Sequence, residues 1–235
     1  MNCRYCDALC HKKGMRNGRQ VYRCKLCQKS QRKSYIRQKY CNEHRETIVM
    51  LTLEGMSISS ISRVLAIPKS SICRLLLQAA KKIHSPELKN TNEQFEIDEL
   101  KTFIGNKGNE CWICYAIERS TRRVVHFIVG RRTKRNIKKV IQAVLSLSPG
   151  KIYTDGLNVY PKLIPKELHS TEKRQTNHIE RLNLTLRTHL KRLSRKTICF
   201  SKSAKMLAAC LKIYFWKDKF QYARPMFDHC NNARM

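Results

Sequence analysis

The chain has 235 residues, enough for one substantial core plus one or two small modules, which at that size need a metal or a similar staple. Lys and Arg number 48 against 17 Asp and Glu, and a formal charge of +31 demands an anionic partner, nucleic acid before any other. No apolar run approaches membrane-spanning length, which speaks against a membrane partner, but charge alone does not separate an enzyme from a DNA-binding scaffold.

No apolar stretch follows Met1-Asn2-Cys3-Arg4 as it would in an export signal, so the twelve cysteines are expected in a reducing, cytoplasmic setting, free to bind metal or pack in cores. Residues 1–40 hold five of them, with twelve Lys or Arg, one acid (Asp7) and no apolar periodicity able to build a core. Cys3-x2-Cys6 and Cys24-x2-Cys27 put two close thiol pairs either side of a loop, the spacing of a zinc ribbon that folds around one structural Zn²⁺. Cys10 stands outside that pattern.

Residues 41–84 read as three helices. Ile48, Met50 and Leu51 mark the first, Glu54-Gly55-Met56-Ser57 turns into the second with Ile58, Ile61 and Leu65, and Pro68 opens the third with Ile72, Leu75, Leu76 and Ala79. This is helix-turn-helix spacing. Lys69, Ser70, Ser71 and Arg74, small, polar or basic at the start of the third helix, suit contact with base edges and phosphates. A plain three-helix packing module is the alternative. Residues 85–94 are polar and read as a linker.

Residues 95–235 begin with three short β-type runs, 95–104, 111–117 and 124–129, separated by turns. A helical stripe at Ile137, Val140, Ile141, Val144 and Leu145 leads to a strand at 151–154 ending on Asp155-Gly156, and a long helix starts near Asn177 with Ile179, Leu182, Leu186, Leu190 and Leu193 inward. This order predicts an α/β domain with a mixed sheet, followed by a helical tail. Cys111 and Cys114 share the x2 spacing, but on a strand they face opposite ways, so they are core positions rather than ligands.

Acids are scarce enough for their placement to carry information. Glu96, Asp98 and Glu99 sit in the first strand of the α/β unit, Asp155 ends a later strand and Glu180 opens the long helix. Oxygen ligands converging there suit two Mg²⁺ or Mn²⁺ ions and in-line displacement at phosphorus; solvated surface charges are the bland alternative. Along the long helix Asn183, Arg187, Lys191 and Ser194 follow Glu180 at helical spacings, and residues 181–205 carry eight Lys or Arg and no acid. Such a face would hold metal and strand phosphates together.

With the paired cysteines and three helices go Ile97-Asp98-Glu99-Leu100, Tyr153-Thr154-Asp155-Gly156 and, most specifically, the run from Asn177-His178-Ile179-Glu180-Arg181-Leu182-Asn183 to Arg195-Lys196-Thr197. In these the chain resembles the transposases of the insertion sequence 1 family, DDE enzymes with a ribonuclease-H-like catalytic fold. The resemblance implies Asp98, Asp155 and Glu180 as the metal-binding triad, twenty-four residues separating the last two, with His178, Asn183 and Arg187 as accompanying catalytic positions; Lys191, on the basic helix face, is an expected DNA contact. It also implies a bacterial, nucleoid-associated protein that acts on double-stranded DNA at terminal inverted repeats and at a target. Bringing two ends together calls for a homodimer or a higher oligomer. A transcriptional regulator, or a nuclease of the same fold that cuts without joining, would carry many of these features. Beyond about Ser203 no functional residue is expected, Asp218, Asp228 and Cys230 included.

Overall fold

The computed structural model describes residues 1–16, 18–33, 42–87, 92–172 and 174–217, which form two compact units, Met1–Cys41 and Asn42–Met235. The expectations for Asp218, Asp228 and Cys230, and for part of the linker, lie outside the described residues.

The first unit is a three-stranded antiparallel sheet, β1 (Cys10–Arg16), β2 (Arg19–Cys24) and β3 (Ser30–Arg32), in that order. Its described residues bury only Cys3, Cys24 and Gln31, so apolar burial cannot fold it. Gln31 stitches the N-terminal turn to β3: its side chain accepts from the Arg4 backbone N–H at 2.9 Å and donates to the Asn2 carbonyl at 2.9 Å.

The second unit opens with α1 (Asn42–Leu53), α2 (Ile58–Leu65) and α3 (Lys69–Lys82). Ser57 caps α2 by accepting from the Ser60 N–H at 3.0 Å, and Ala66, at φ 51°, ends it in the left-handed conformation before Pro68 and α3. Ile72, Leu75, Leu76, Ala79 and Ala80 form the buried side of α3.

Five strands follow as one mixed sheet: β4 (Gln94–Phe103), β5 (Glu110–Glu118), β6 (Val124–Gly130), β7 (Lys151–Thr154) and β8 (His169–Ser170). The order across the sheet is β6-β5-β4-β7-β8, antiparallel among β4, β5 and β6 and parallel from β4 through β7 to β8. Helix α4 (Lys134–Leu145) makes the crossover from β6 to β7, the right length of connection for parallel pairing.

Alternation along β4 assigns its two faces. Phe95 and Ile97 pack with Ile137, Val140, Ile141 and Val144 of α4. Leu100 packs on the opposite face with Ile179 and Leu186 of α5 (Asn177–His189) and Leu207 and Leu211 of α6 (Ala204–Trp216). Each of these buried side chains contributes roughly 1.5–3 kcal/mol. Cys111 and Cys114 are both buried in β5, as expected for core positions.

Two features depart from expectation. The long helix does not run through Leu193: α5 stops at His189, Leu190 is extended at φ −100°, ψ 95°, and a separate 3-10 turn covers Lys191–Leu193. Leu190 and Leu193 are buried all the same, at 3% and 1% exposure, because the turn folds back on the core. The C-terminal helix α6 is a structural centre, packed against α1, α3 and β6 and burying seven of its residues. Among the described residues no helix is long and apolar enough to cross a membrane.

Candidate active site and metal centres

In the first unit Cys3, Cys6, Cys24 and Cys27 converge, with sulfur atoms all within 4.8 Å of one another. Cys3 and Cys27 lie 3.5 Å apart through their sulfurs, and Cys6 and Cys24 lie 3.4 Å apart. Backbone N–H groups of Tyr5 and Cys27 donate to the sulfurs of Cys3 and Cys24, each at 3.4 Å. The Tyr5 N–H is the chief cause that lowers the Cys3 thiol from its ordinary value, and such donors favour the thiolate that a metal requires. Four soft ligands in a unit whose described residues form no apolar core fit a structural metal.

In the second unit Asp98 lies on the central strand β4, on the face toward α5, and Asp155 directly follows the parallel strand β7. Their pairing register, Ile97 beside Thr154, brings the two acids side by side. Carboxylate oxygens of Asp98, Glu99 and Asp155 all lie within 4.8 Å of one another. Burial pushes Asp98 up to about 6; the Glu99 N–H, 2.7 Å from Oδ1, opposes this, and the charges of Glu99 and Asp155 add to it. Acids crowded together against their own charge fit a divalent cation.

Glu99, a neighbour that the resemblance left outside the triad, is the third member of this cluster. It is buried and held by the Tyr160 hydroxyl at 2.8 Å and by Arg132 at 3.3 Å, and burial raises its carboxyl. Glu180 stands apart from the cluster, exposed in the first turn of α5, where its Oε1 accepts from the Thr176 hydroxyl at 2.8 Å.

Helix α5 lies along β4 in the same direction, fixed at successive points. Asn183 Nδ2 donates to Asp98 Oδ2 at 2.6 Å while its Oδ1 accepts from the Tyr115 hydroxyl at 2.8 Å. Arg187 donates to the carbonyls of Leu193 at 3.0 Å and Lys101 at 3.4 Å, so the guanidinium joins α5, β4 and the 3-10 turn. Burial lowers its affinity for the proton, and the Arg195 charge beside it acts the same way. Glu180, Asn183, Arg187, Ser194 and Arg195 line one open cleft. Lys191 and Ser194 therefore do not continue the α5 face beyond Arg187 as an unbroken helix would; the break at Leu190 re-aims them, Lys191 into solvent and Ser194 into the cleft.

His178 and Glu96 form a pair that sequence reasoning treated unequally. Glu96, wholly buried, accepts from His178 Nδ1 at 2.7 Å and from the Ile179 N–H at 2.9 Å, and forms an ion pair with Arg119, whose Nε lies 2.9 Å from Oε1. Strand alternation puts Glu96 on the Asp98 side of β4, the one signal that pointed to it. On α3, Lys69, Ser70 and Arg74 are exposed and Ser71 is half-buried, so the four expected DNA contacts lie at or near one free edge of the helix.

Residues 94–221 match the family model described as IS1 transposase. The insertion element iso-IS1n protein InsB of Shigella dysenteriae is 36% identical over 125 residues, which cover 53% of this chain and 95% of that protein. The insertion element IS1 protein InsB of Shigella flexneri is 37% identical over 111 residues, covering 47% of this chain and 85% of that one. A domain match over more than half of the chain, and relatives aligned over most of their own length, place this chain in the IS1 transposase family.

Proposed function

We propose that the chain is a DDE-type transposase that binds the terminal inverted repeats of an insertion sequence, frees the 3′ end and joins it to target DNA. The observation that carries this reading is the meeting of Asp98, within β4, and Asp155, just past the end of the parallel strand β7, with Asn183 of the adjacent helix bonded to Asp98. The strand order, three antiparallel strands followed by two parallel ones, supports a ribonuclease-H-like catalytic fold.

Asp98 and Asp155 would hold Mg²⁺ or Mn²⁺, joined by Glu180, which lies one helical turn before Asn183 on the cleft side of α5. When bound, two such ions supply the positive charge that activates the attacking oxygen and steadies the leaving one. In the first step a water oxygen attacks phosphorus at the element end, the bond to the 3′ oxygen breaks, and that oxygen leaves as a hydroxyl. In the second, the same 3′ hydroxyl oxygen loses its proton and attacks a target phosphodiester, the target's bond from phosphorus to its own 3′ oxygen breaks, and that oxygen takes up a proton and leaves as a hydroxyl. Asn183 keeps Asp98 oriented, and Arg187 and Arg195, two cations facing one cleft, receive strand phosphates.

The tetracysteine unit would be a zinc ribbon, and α1 to α3 a helix-turn-helix that presents Lys69, Ser70, Ser71 and Arg74 to the groove, with Lys191 on phosphate. Because two ends must be cut and joined, the working form would be at least a homodimer. Incubation with labelled inverted-repeat DNA, target plasmid and Mg²⁺ tests the reading: joined product supports it. Cleavage without joining supports a nuclease of this fold, and tight binding with neither supports a regulator.

A further inference from the structure

Glu96 is a fully buried carboxylate in a chain with a large excess of positive charge, and no step of the proposed chemistry uses it. Its three partners come from two parts of the fold: the ion-pair partner Arg119, just past β5, and the hydrogen-bond donors His178 and the backbone of Ile179 in α5. A buried carboxylate with two hydrogen-bond donors and a guanidinium against it fixes whatever supplies them.

Three connections run outward from it. On β4, Asp98 is two residues away and on the same face. Toward α5, the Ile179 N–H belongs to the first turn, whose donors have no partner within the helix, and Thr176 provides no side-chain cap. Glu96 therefore caps α5 from the sheet, immediately before Glu180, and its negative charge suits that end of the helix dipole. Toward β7, the Arg119 guanidinium bonded to Glu96 lies over the Tyr153 ring at 4.4 Å, two residues before Asp155.

We infer that Glu96 is a positioning residue for the carboxylate site, one buried anion that sets α5, and with it Glu180, in register with Asp98 and Asp155. This inference rests on the proposed metal-dependent reaction. It predicts that loss of the Glu96 charge weakens metal binding at carboxylates that Glu96 does not itself join. Glu96→Gln keeps the size of the side chain and can still accept from one N–H, but it cannot pair with the Arg119 guanidinium as a carboxylate does.

The test is a calorimetric Mn²⁺ titration of the zinc-loaded full-length protein, with Asp155→Asn as the reference for lost carboxylate binding. Ile141→Val, a core trim under the opposite sheet face, is the control for lost stability. Glu96→Gln is expected to weaken Mn²⁺ binding about tenfold or more, the usual effect of removing a group that orients metal ligands. Ile141→Val should lower the melting temperature without that loss, and excess Mn²⁺ should restore cleavage in Glu96→Gln. Unchanged Mn²⁺ affinity in Glu96→Gln, or a loss no larger than that of Ile141→Val, overturns the inference. A wild-type protein that binds Mn²⁺ through Asp155 but never cuts DNA would instead remove the proposed function and leave the positioning claim to be judged on binding alone.

Discussion

Asn183 Nδ2 sits 2.6 Å from Asp98 Oδ2, joining helix α5 to the central strand across eighty-five positions of sequence. The contact orients Asp98 and, because the Tyr115 hydroxyl holds the other end of the amide, Asn183 has little freedom to move away. Replacing Asn183 with Ala should lower cleavage by one to two orders of magnitude, in the range seen when a partner that orients a metal ligand is lost. Binding of end DNA, followed by gel shift, should stay within a fewfold of wild type. Wild-type cleavage rates in Asn183→Ala would show that the contact is incidental.

The burial of Asp98, with two acids crowded beside it, makes a pH prediction. Its folded value of about 6 lies above the ordinary 3.8, so the folded metal-free protein holds this proton more tightly than the unfolded chain. The associated stability is present below about pH 4 and is lost as pH rises through about 6, by at most about 3 kcal/mol. In chelator, Asp98→Asn should therefore gain on wild type in melting temperature between pH 4 and pH 7. A difference independent of pH over that window would contradict the crowding.

For the first unit, purified protein should carry about one zinc per chain, since Cys3, Cys24 and Gln31 are its only buried described residues. Cys24→Ser should lose the metal, unfold this unit and weaken end binding. Metal analysis of native protein that found no zinc would remove the ribbon from the account.

Gly55 ends the turn between α1 and α2 at φ +75°, and a Cβ there would lie 2.2 Å from the His189 carbonyl oxygen at the end of α5. No side chain fits without moving one helix off the other. Gly55→Ala should destabilise the protein by on the order of 1–3 kcal/mol from backbone strain alone, with more from the clash. A melting temperature equal to wild type would mean that this turn does not pack against α5 in solution.

What could be read beforehand followed from local rules. Cysteine spacing marked the four sulfurs that converge, alternation and turns marked the strands, and an acid after a short strand marked Asp155. The misread parts depended on tertiary partners. Leu190 and Leu193 continue the apolar stripe of α5 so well that periodicity runs straight through the break, and only the fold-back onto the core explains it. Strand β8 has two residues, too few for any pattern. Helix α6 is apolar nearly all round, which signals burial but not what it is buried against. Glu96 draws two of its donors from residues more than eighty positions away, and Glu99 joins the acidic cluster from a side chain that strand alternation aims at the other face.

Helices α1 to α3 make a separate prediction. Arg74 is exposed on α3, four residues along from Ser70 and five from Lys69, so Arg74→Ala should reduce preference for the inverted repeat over unrelated DNA by about 1–3 kcal/mol. Lys12→Ala, in the basic first unit, should weaken binding to all DNA and flatten its salt dependence. Unaltered end preference in Arg74→Ala would move the recognition surface off α3.

The central claim is metal-dependent strand transfer at the carboxylates where β4 and β7 meet. The most direct measurement is the rate of 3′-end cleavage and joining by Asp155→Asn on labelled inverted-repeat DNA with Mg²⁺, beside a gel shift on the same DNA. Asp155→Asn preserves size and removes the charge that the ions need, so both reactions should fall by three orders of magnitude or more, about 4 kcal/mol in barrier, with end binding intact. Full joining activity in the Asp155→Asn protein would contradict the account.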